Sequence, residues 1–363
     1  MESTPPTFVS LYSGAGGLDL GFCEAGYRPV SANDIDAAAA ETYSASYKRI
    51  VDRLPHLRNH DHGCVVADVN DHLMGLSAGI ADLVIGGPPC QGFSVAGKMD
   101  PSDPRSRHVW RFFDAVERVG PRAFVMENVK ALAVNRRWSV LLTCLRRRAK
   151  ELGFETHVLL LNAADYGVPQ ARERMFLVGV PLGTAFATPP PTTAERQPTL
   201  RKALSALPPW GSPGNDVLCT AKVTPARQPV MRRSPFAGML FNGAGRPMRL
   251  DAPAPTLPAS MGGNRTPIVD QHHLDGIDGC WVSRYHAHLA AGGAPYTSLP
   301  DRLRRLTVQE AAAIQGFPQD MEWRGTQSAI YRQIGNAVPP KLAHVIAAAL
   351  RDAGALAHGS PCQ

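Results

Sequence analysis

Residues 9–18 read Val-Ser-Leu-Tyr-Ser-Gly-Ala-Gly-Gly-Leu: a short apolar run, a glycine-rich turn, then helical spacing over 18–25. Glycines at such a junction let the backbone turn tightly and approach a ligand at a helix N-terminus. The pattern falls short of the dinucleotide fingerprint, because Asp19 stands where its third glycine would be. Working outward, strand-like runs recur at 29–32, 65–67, 83–85, 123–126, 157–161 and 176–180. Helical spacing falls between them at 37–47, 110–119 and 138–152. This alternation predicts an α/β fold, a doubly wound, mostly parallel sheet with helices on both faces. Ligands in such sheets sit at the carboxyl ends of the strands. Asp34 and Asp68 follow the second and third strands there, where a carboxylate can accept hydrogen bonds from ribose hydroxyls. A glycine turn with two acids suits an adenosine-containing cofactor that lacks a phosphate, although structural turns with N-capping aspartates would look the same.

The fourth strand runs into Gly86-Gly-Pro-Pro-Cys90-Gln-Gly-Phe-Ser94. Two prolines stiffen the backbone ahead of the cysteine and glycines surround it, a poor design for an inert core thiol and a good one for a nucleophile on a loop. Glu127 closes the fifth strand, and Gln170-Ala-Arg-Glu-Arg174 precedes the seventh. A carboxyl that shares a proton and guanidinium groups that hold a carbonyl oxygen are what an electron-poor pyrimidine would need. Taken singly, each could be a surface ion pair.

The 363 residues suffice for two domains, and 44% hydrophobic with 19% charged residues is a globular composition. No stretch approaches the length of a membrane span and no signal peptide is evident, so a cytoplasmic protein is expected. The seven cysteines are scattered without any Cys-x-x-Cys, which suggests neither a disulfide framework nor a zinc ribbon. His272, His273, Cys280, His286 and His288 fit no standard zinc spacing, and no metal is expected. The net charge of +7 is unevenly spread. Residues 185–305 hold 14 Lys and Arg against 7 Asp and Glu, while the rest of the chain has 24 of each. Such asymmetry suits a polyanion-binding face as well as an ordinary basic surface. Fifteen of the 32 prolines lie in 189–267, which reads as a loop-rich domain with Trp210, Phe236, Phe241, Ile268 and Trp281 available for a small core. Helical periodicity returns at 307–315 and 340–350, the last helix being expected to pack back on the first domain.

Six motifs in order now point one way. Tyr12-Ser-Gly-Ala-Gly-Gly17, Pro88-Pro-Cys-Gln-Gly-Phe-Ser94, Glu127-Asn-Val129, Gln170-x-Arg-x-Arg174, Arg305-Leu-Thr-x-x-Glu310 with Gln315-Gly-Phe-Pro318, and Gln333-Ile-Gly-Asn-Ala-Val-Pro-Pro340 resemble the motif set of the DNA (cytosine-5)-methyltransferases. The resemblance runs from residue 8 to about 345. It implies a Rossmann-like fold dependent on S-adenosylmethionine, with a smaller loop-rich target-recognition domain. Residues 1–185 would be the catalytic and cofactor-binding domain, 186–300 the recognition domain, 301–352 motifs returning to the first domain, and 353–363 a frayed tail. It also implies transfer of a methyl group to C5 of a specific cytosine in double-stranded DNA, with base flipping and a covalent adduct at C6.

Residue by residue, the resemblance makes Cys90 the nucleophile, Glu127 the acid at N3, and Arg172 and Arg174 the pair that holds the base and the catalytic loop. Cofactor contacts fall on Tyr12, Gly14, Gly17, Asp34, Ile35, Asp68 and Val69, with Asn336 and Val338 from the C-terminal motif. DNA contacts fall on Gln91, Ser94 and Arg105 of a closing loop, and on Thr256, Arg227, Arg232, Arg233, Arg246, Arg249 and Arg265. Three positions depart from the family pattern: Tyr12 stands for the commoner phenylalanine, Asp34 for glutamate, and His108 for an apolar residue. The absence of regulatory extensions suggests a monomeric bacterial modification enzyme, with a restriction endonuclease acting separately. The rivals are an RNA cytosine methyltransferase, a silent DNA-binding relative and a nicotinamide dehydrogenase, the last disfavoured by the broken fingerprint.

Overall fold

The computed structural model describes residues 4–89 and 107–356. They divide into two compact units, the first formed by Met1–Tyr166, Glu173–Thr192 and Val338–Gln363, the second by Gly167–Arg172 and Thr193–Ala337.

The first unit is built on a seven-stranded sheet. In chain order its strands are β1 (Thr7–Leu11), β2 (Arg28–Asp34), β3 (Val65–Val66), β4 (Leu83–Gly86), β5 (Ala123–Val129), β6 (Phe154–Asn162) and β8 (Glu173–Pro181). They lie in the order β3-β2-β1-β4-β5-β8-β6. The pairs from β3 to β5 are parallel, as the alternation of strands and helices predicts, but β8 runs antiparallel to both β5 and β6. Apolar periodicity reports that a strand is buried and says nothing of its direction.

Both faces of the sheet are covered. Val9 and Leu11 share a cluster with Val84, Phe124, Met126 and Leu177 and with residues of α3 (Val69–Met74), α4 (His108–Val119) and α6 (Ser139–Glu151). On the alternate face of β1, Phe8 meets Phe22 and Ser10 bonds Asp19, both residues of α1 (Gly17–Glu24). α1 packs in turn on α12 (Pro340–Asp352), the helix expected to return. Tyr27 donates to the carbonyl of Ala347 and Arg351 to that of Ala25. Beyond α12, Ala355 is buried and the Leu356 carbonyl accepts from Arg122, so residues 353–356 are held rather than frayed.

The second unit contains short two-stranded pairings: β7 (Gln170–Ala171) with β11 (Ala254–Pro255), β9 (Pro225–Val230) with β10 (Met239–Phe241), and β12 (Ile268–Asp270) with β13 (Leu303–Arg305). Its core gathers Leu240, Phe241, Ile268, Val282, Tyr285 and Leu303, with Trp281 at the edge. Trp210, expected inside, is 43% exposed and lies under the guanidinium of Arg304. That guanidinium bonds both oxygens of Glu310, which also closes the capping box of α10 (Val308–Gln315).

The α1–α12 contact depends on Gly21, where a Cβ would fall 2.3 Å from the carbonyl oxygen of Pro340. Alanine is the better helix former by about 1 kcal/mol. Here Gly21→Ala is nevertheless expected to lower the thermal midpoint, because overpacking against backbone costs about 1–3 kcal/mol. An unchanged or raised midpoint would show that the helices separate freely.

Candidate active site

At the carboxyl end of β1 the chain is forced through an unusual turn. Tyr12 (φ 56°), Gly14 (φ 56°) and Gly16 (φ 83°) all adopt left-handed backbone conformations. For Tyr12 this costs on the order of 1–3 kcal/mol. The ring is fixed nonetheless, packing edge-on to His108 with centroids 5.5 Å apart and its hydroxyl 3.1 Å from Nδ1. The two aromatic departures from the family pattern are therefore partners. Gly16 leaves room for the ring of Tyr43, whereas a Cβ at Gly14 would meet nothing within 4 Å. The turn is thus supported from below and open above.

The support includes a buried acid, at the position where the dinucleotide fingerprint would have its third glycine. Asp19 is 2% exposed and accepts from Ser10 Oγ at 2.9 Å and from the Tyr43 hydroxyl at 3.1 Å. Burial pushes its pKa up to about 7 against those two bonds.

Asp34 ends β2 and ties two loops together, accepting from Gly14 N and Asp36 N, each at 2.8 Å. Burial raises its pKa, opposed by those amides. Ile35 beside it is 71% exposed, and Asp68 N-caps α3. Val69 is 3% exposed within the hydrophobic cluster, so only its backbone remains for a ligand. Gly17 opens α1. Val338 is buried in the first unit, and Asn336 is exposed at the end of α11 (Gln327–Asn336) in the second.

The next carboxyl end, that of β5, carries the acid. Register sets Val129 opposite Arg174 and Glu127 opposite Phe176, so Glu127 and Arg174 are diagonal neighbours on one face of an antiparallel pair. Their side chains close an ion pair at 2.9 Å, with only 13–15% of either exposed. Asn128, on the other face, donates to the carbonyl of Pro88 at 3.2 Å, and a Cβ at Gly87 would stand 3.1 Å from Glu127 Oε2. The backbone two residues before Cys90 is thereby held beside the acid. Cys90, Gln91, Ser94 and Arg105 lie outside the described residues.

Arg172 departs from expectation. It is 1% exposed and donates to the carbonyl oxygens of Leu257 and Gly335 and to Gln170 Oε1, all within the second unit. It holds backbone, and a base could not reach it without displacing those acceptors. Gln170 also caps Leu257 N and bonds Gln315, so the quoted glutamines and arginine form one internal brace. Thr256, exposed, donates to the Ala171 carbonyl.

Two sets of arginines in the second unit differ sharply in setting. Arg302, Arg304 and Arg305 are enclosed and bonded internally. Arg227, Arg232, Arg233, Arg246, Arg249 and Arg265 are exposed and form no ion pair among the described residues. His286 bonds the Arg232 carbonyl, His288 that of Ala294, and His272 meets Arg302. Cys280 precedes α9 (Trp281–Ala290) as its N-cap.

Comparison with known proteins gives the family. The model of the C-5 cytosine-specific DNA methylases matches residues 6–352. The chain belongs to that family. The methylase is 32% identical over 352 residues to the type II methyltransferase M1.HphI of Haemophilus parahaemolyticus, covering 95% of this chain and 86% of that protein. It is 30% identical to M.FnuDI of Fusobacterium nucleatum, covering 95% and 94%. Among solved structures, an Entamoeba histolytica methyltransferase superposes with a TM-score of 0.64 at 14% identity, over 96% of this chain and 99% of that one. The Dnmt2 methyltransferase of S. pombe gives 0.62 at 17%, over 96% and 99%. The methylase methylates cytosine at C5 in DNA, as its motifs imply. Among its described residues no helix is long and apolar enough to cross a membrane.

Asp19 gives the methylase a defined pH response. A free aspartate titrates near roughly 3.9 and this one at about 7, so between those values the folded form holds the extra proton. Stability from this site is greatest at the acid end and declines as pH rises to about 7. Asp19→Asn should remove the decline, so that its thermal midpoint gains on the wild type by roughly 5 °C or more between pH 5 and 8. A difference that stays constant across that range would refute the assignment.

Proposed function

We propose that methyl transfer proceeds through attack of Cys90 on C6 of a flipped cytosine, with Glu127 engaging N3 and Arg174 holding Glu127. The observation that carries this reading is the Glu127–Arg174 pair, flanked by Asn128 gripping the Pro88 carbonyl. C5 of cytosine is a poor nucleophile until a thiolate adds at C6 and a proton is shared at N3, which turns the ring into an enamine. Glu127, fixed from the side by a guanidinium, is suited to share that proton. Loss of the C5 proton and departure of the thiolate then restore the aromatic ring. Arg172, sunk in backbone contacts, positions other residues and touches no base.

S-adenosylmethionine would supply an electrophilic methyl group. The residues present fit it: open space above Gly14, a carboxylate at Asp34 with lone pairs left for hydroxyls, and the exposed apolar Ile35 beside it. Gly17, Asp68, the Val69 backbone, Asn336 and Val338 complete the assignment. We read residues 186–300 as the target-recognition domain, supported by its six exposed, unpaired arginines, and 301–352 as motifs serving the catalytic domain. A monomer in the cytoplasm, acting on duplex DNA beside a separate restriction endonuclease, fits the likeness to type II enzymes.

The covalent step is tested with duplex DNA carrying 5-fluorocytosine. Fluorine cannot leave as a cation, so a protein–DNA adduct should accumulate only with S-adenosylmethionine. Cys90→Ser should form none, and Glu127→Gln should form it about 100-fold more slowly or worse. Mapping of the adduct to Cys64 or Cys144 would overturn the assignment.

The cofactor reading has its own measurement. Asp34→Asn should weaken S-adenosylhomocysteine, titrated by calorimetry, by about tenfold. Unaltered affinity would place the ribose elsewhere.

A further inference from the structure

The hydroxyl of Tyr12 has two neighbours on His108, ring Nδ1 at 3.1 Å and the backbone carbonyl oxygen at 3.3 Å. A phenol has one proton, and a carbonyl can only accept. Both contacts become hydrogen bonds in a single arrangement: the phenol donates to the carbonyl and accepts from Nδ1–H. The imidazole is then the Nδ1–H tautomer, the reverse of the form that predominates in a free neutral histidine side chain, and Nε2 is left as a bare acceptor. Nε2 has no hydrogen-bond partner among the described residues.

Its position is informative. β1 and β4 are neighbours whose following segments diverge, so the crevice at their carboxyl ends is the switch point where such sheets bind ligands. Tyr12 follows β1, and His108 opens α4, the helix after β4. Asp68, following β3, is near enough to influence the ionisation of both rings. Burial lowers the His108 pKa, with Asp68 opposing and Arg111 assisting, so the ring is neutral at pH 7 and Nε2 keeps its lone pair.

Resting on the cofactor reading above, we infer that the Tyr12–His108 pair is a specificity device: Tyr12 locks the tautomer in which His108 Nε2 accepts a hydrogen bond from the exocyclic amino group of the cofactor's adenine. An apolar side chain at 108 would supply a wall and no acceptor. A 6-oxo purine would set its carbonyl oxygen against the Nε2 lone pair and be disfavoured.

The test compares S-adenosylhomocysteine with S-inosylhomocysteine, its 6-oxo analogue, by calorimetry on the whole protein. Wild type should prefer the amino compound. His108→Leu should bind it about 3–10-fold more weakly and lose a similar factor of that preference, while binding the 6-oxo analogue no worse. Tyr12→Phe, which keeps the ring and only frees the tautomer, should shift the preference in the same direction. Nitrogen-15 spectra of the histidine rings should show Nδ1–H at His108 in wild type and a shift toward Nε2–H in Tyr12→Phe. A preference unchanged in both variants, or an Nε2–H ring in wild type, overturns the inference alone. Failure of wild type to bind S-adenosylhomocysteine at all would instead overturn the cofactor reading along with it.

Discussion

The reversal of one strand is what brings Glu127 and Arg174 together. Were β8 parallel to β5 like its neighbours, Arg174 would lie near the amino edge of the sheet, far from the end of β5. Because β8 runs the other way, its first residues meet the last residues of β5, and the diagonal geometry of antiparallel pairing delivers a guanidinium to Glu127. The ion pair is short because two rigid strands fix both of its Cα positions. Enclosed on both sides, it is screened less by water than a surface pair would be. The same strand end places Glu173 against Lys130, so the reversal is pinned by charge on both faces.

Much of this was legible in the residues and some was not, for physical reasons. Strand and helix positions followed from apolar spacing, and the carboxyl-edge placement of Asp34, Asp68 and Glu127 followed from the alternation. Strand direction did not, because alternation of side chains is the same read either way. Asp19 was seen only as a glycine that failed to appear; a carboxyl buried under a turn has no periodic signature, and its partners Ser10 and Tyr43 are ordinary residues until folded. Arg172 and Arg174 look like twins at a spacing of two, yet they belong to different compact units. One ends buried among carbonyls and the other against a carboxylate. Trp210 lies outside the small core because the guanidinium of Arg304 covers its ring, a partner that aromatic bulk in a sequence does not disclose. Tyr12 and His108 are separate departures in the sequence, 96 residues apart, and become one hydrogen-bonded pair only in the fold.

The charge asymmetry is also sharper in three dimensions than in a count. Three arginines at 302, 304 and 305 raise the tally of the second unit yet serve as internal struts, bonded to acids, amide side chains or backbone. The six exposed ones form no ion pair among the described residues, and Arg249 lies over the ring of Phe236. Those six, with the exposed Arg196, Lys202 and Lys222, supply the positive field at the surface, so a count of basic residues along the chain overstates what a polyanion would meet.

The docking of α12 on α1 joins segments 320 residues apart at the Tyr27–Ala347 bond, and a glycine of α1 is shaped to receive it. During synthesis, therefore, the first unit must wait. Its amino-terminal strands and helices emerge early, but one face of α1 stays uncovered while the whole second unit is translated, leaving an apolar surface that only a late-made helix can seal. A contact of such long range slows closure relative to local pairings. The second unit, whose segments between 193 and 337 are nearly continuous, is free to fold in that interval. A ribosome stalled within it would leave the seven strands of the sheet made but the α12-binding face of α1 bare, open to chaperones and proteases until residues 340–352 emerge.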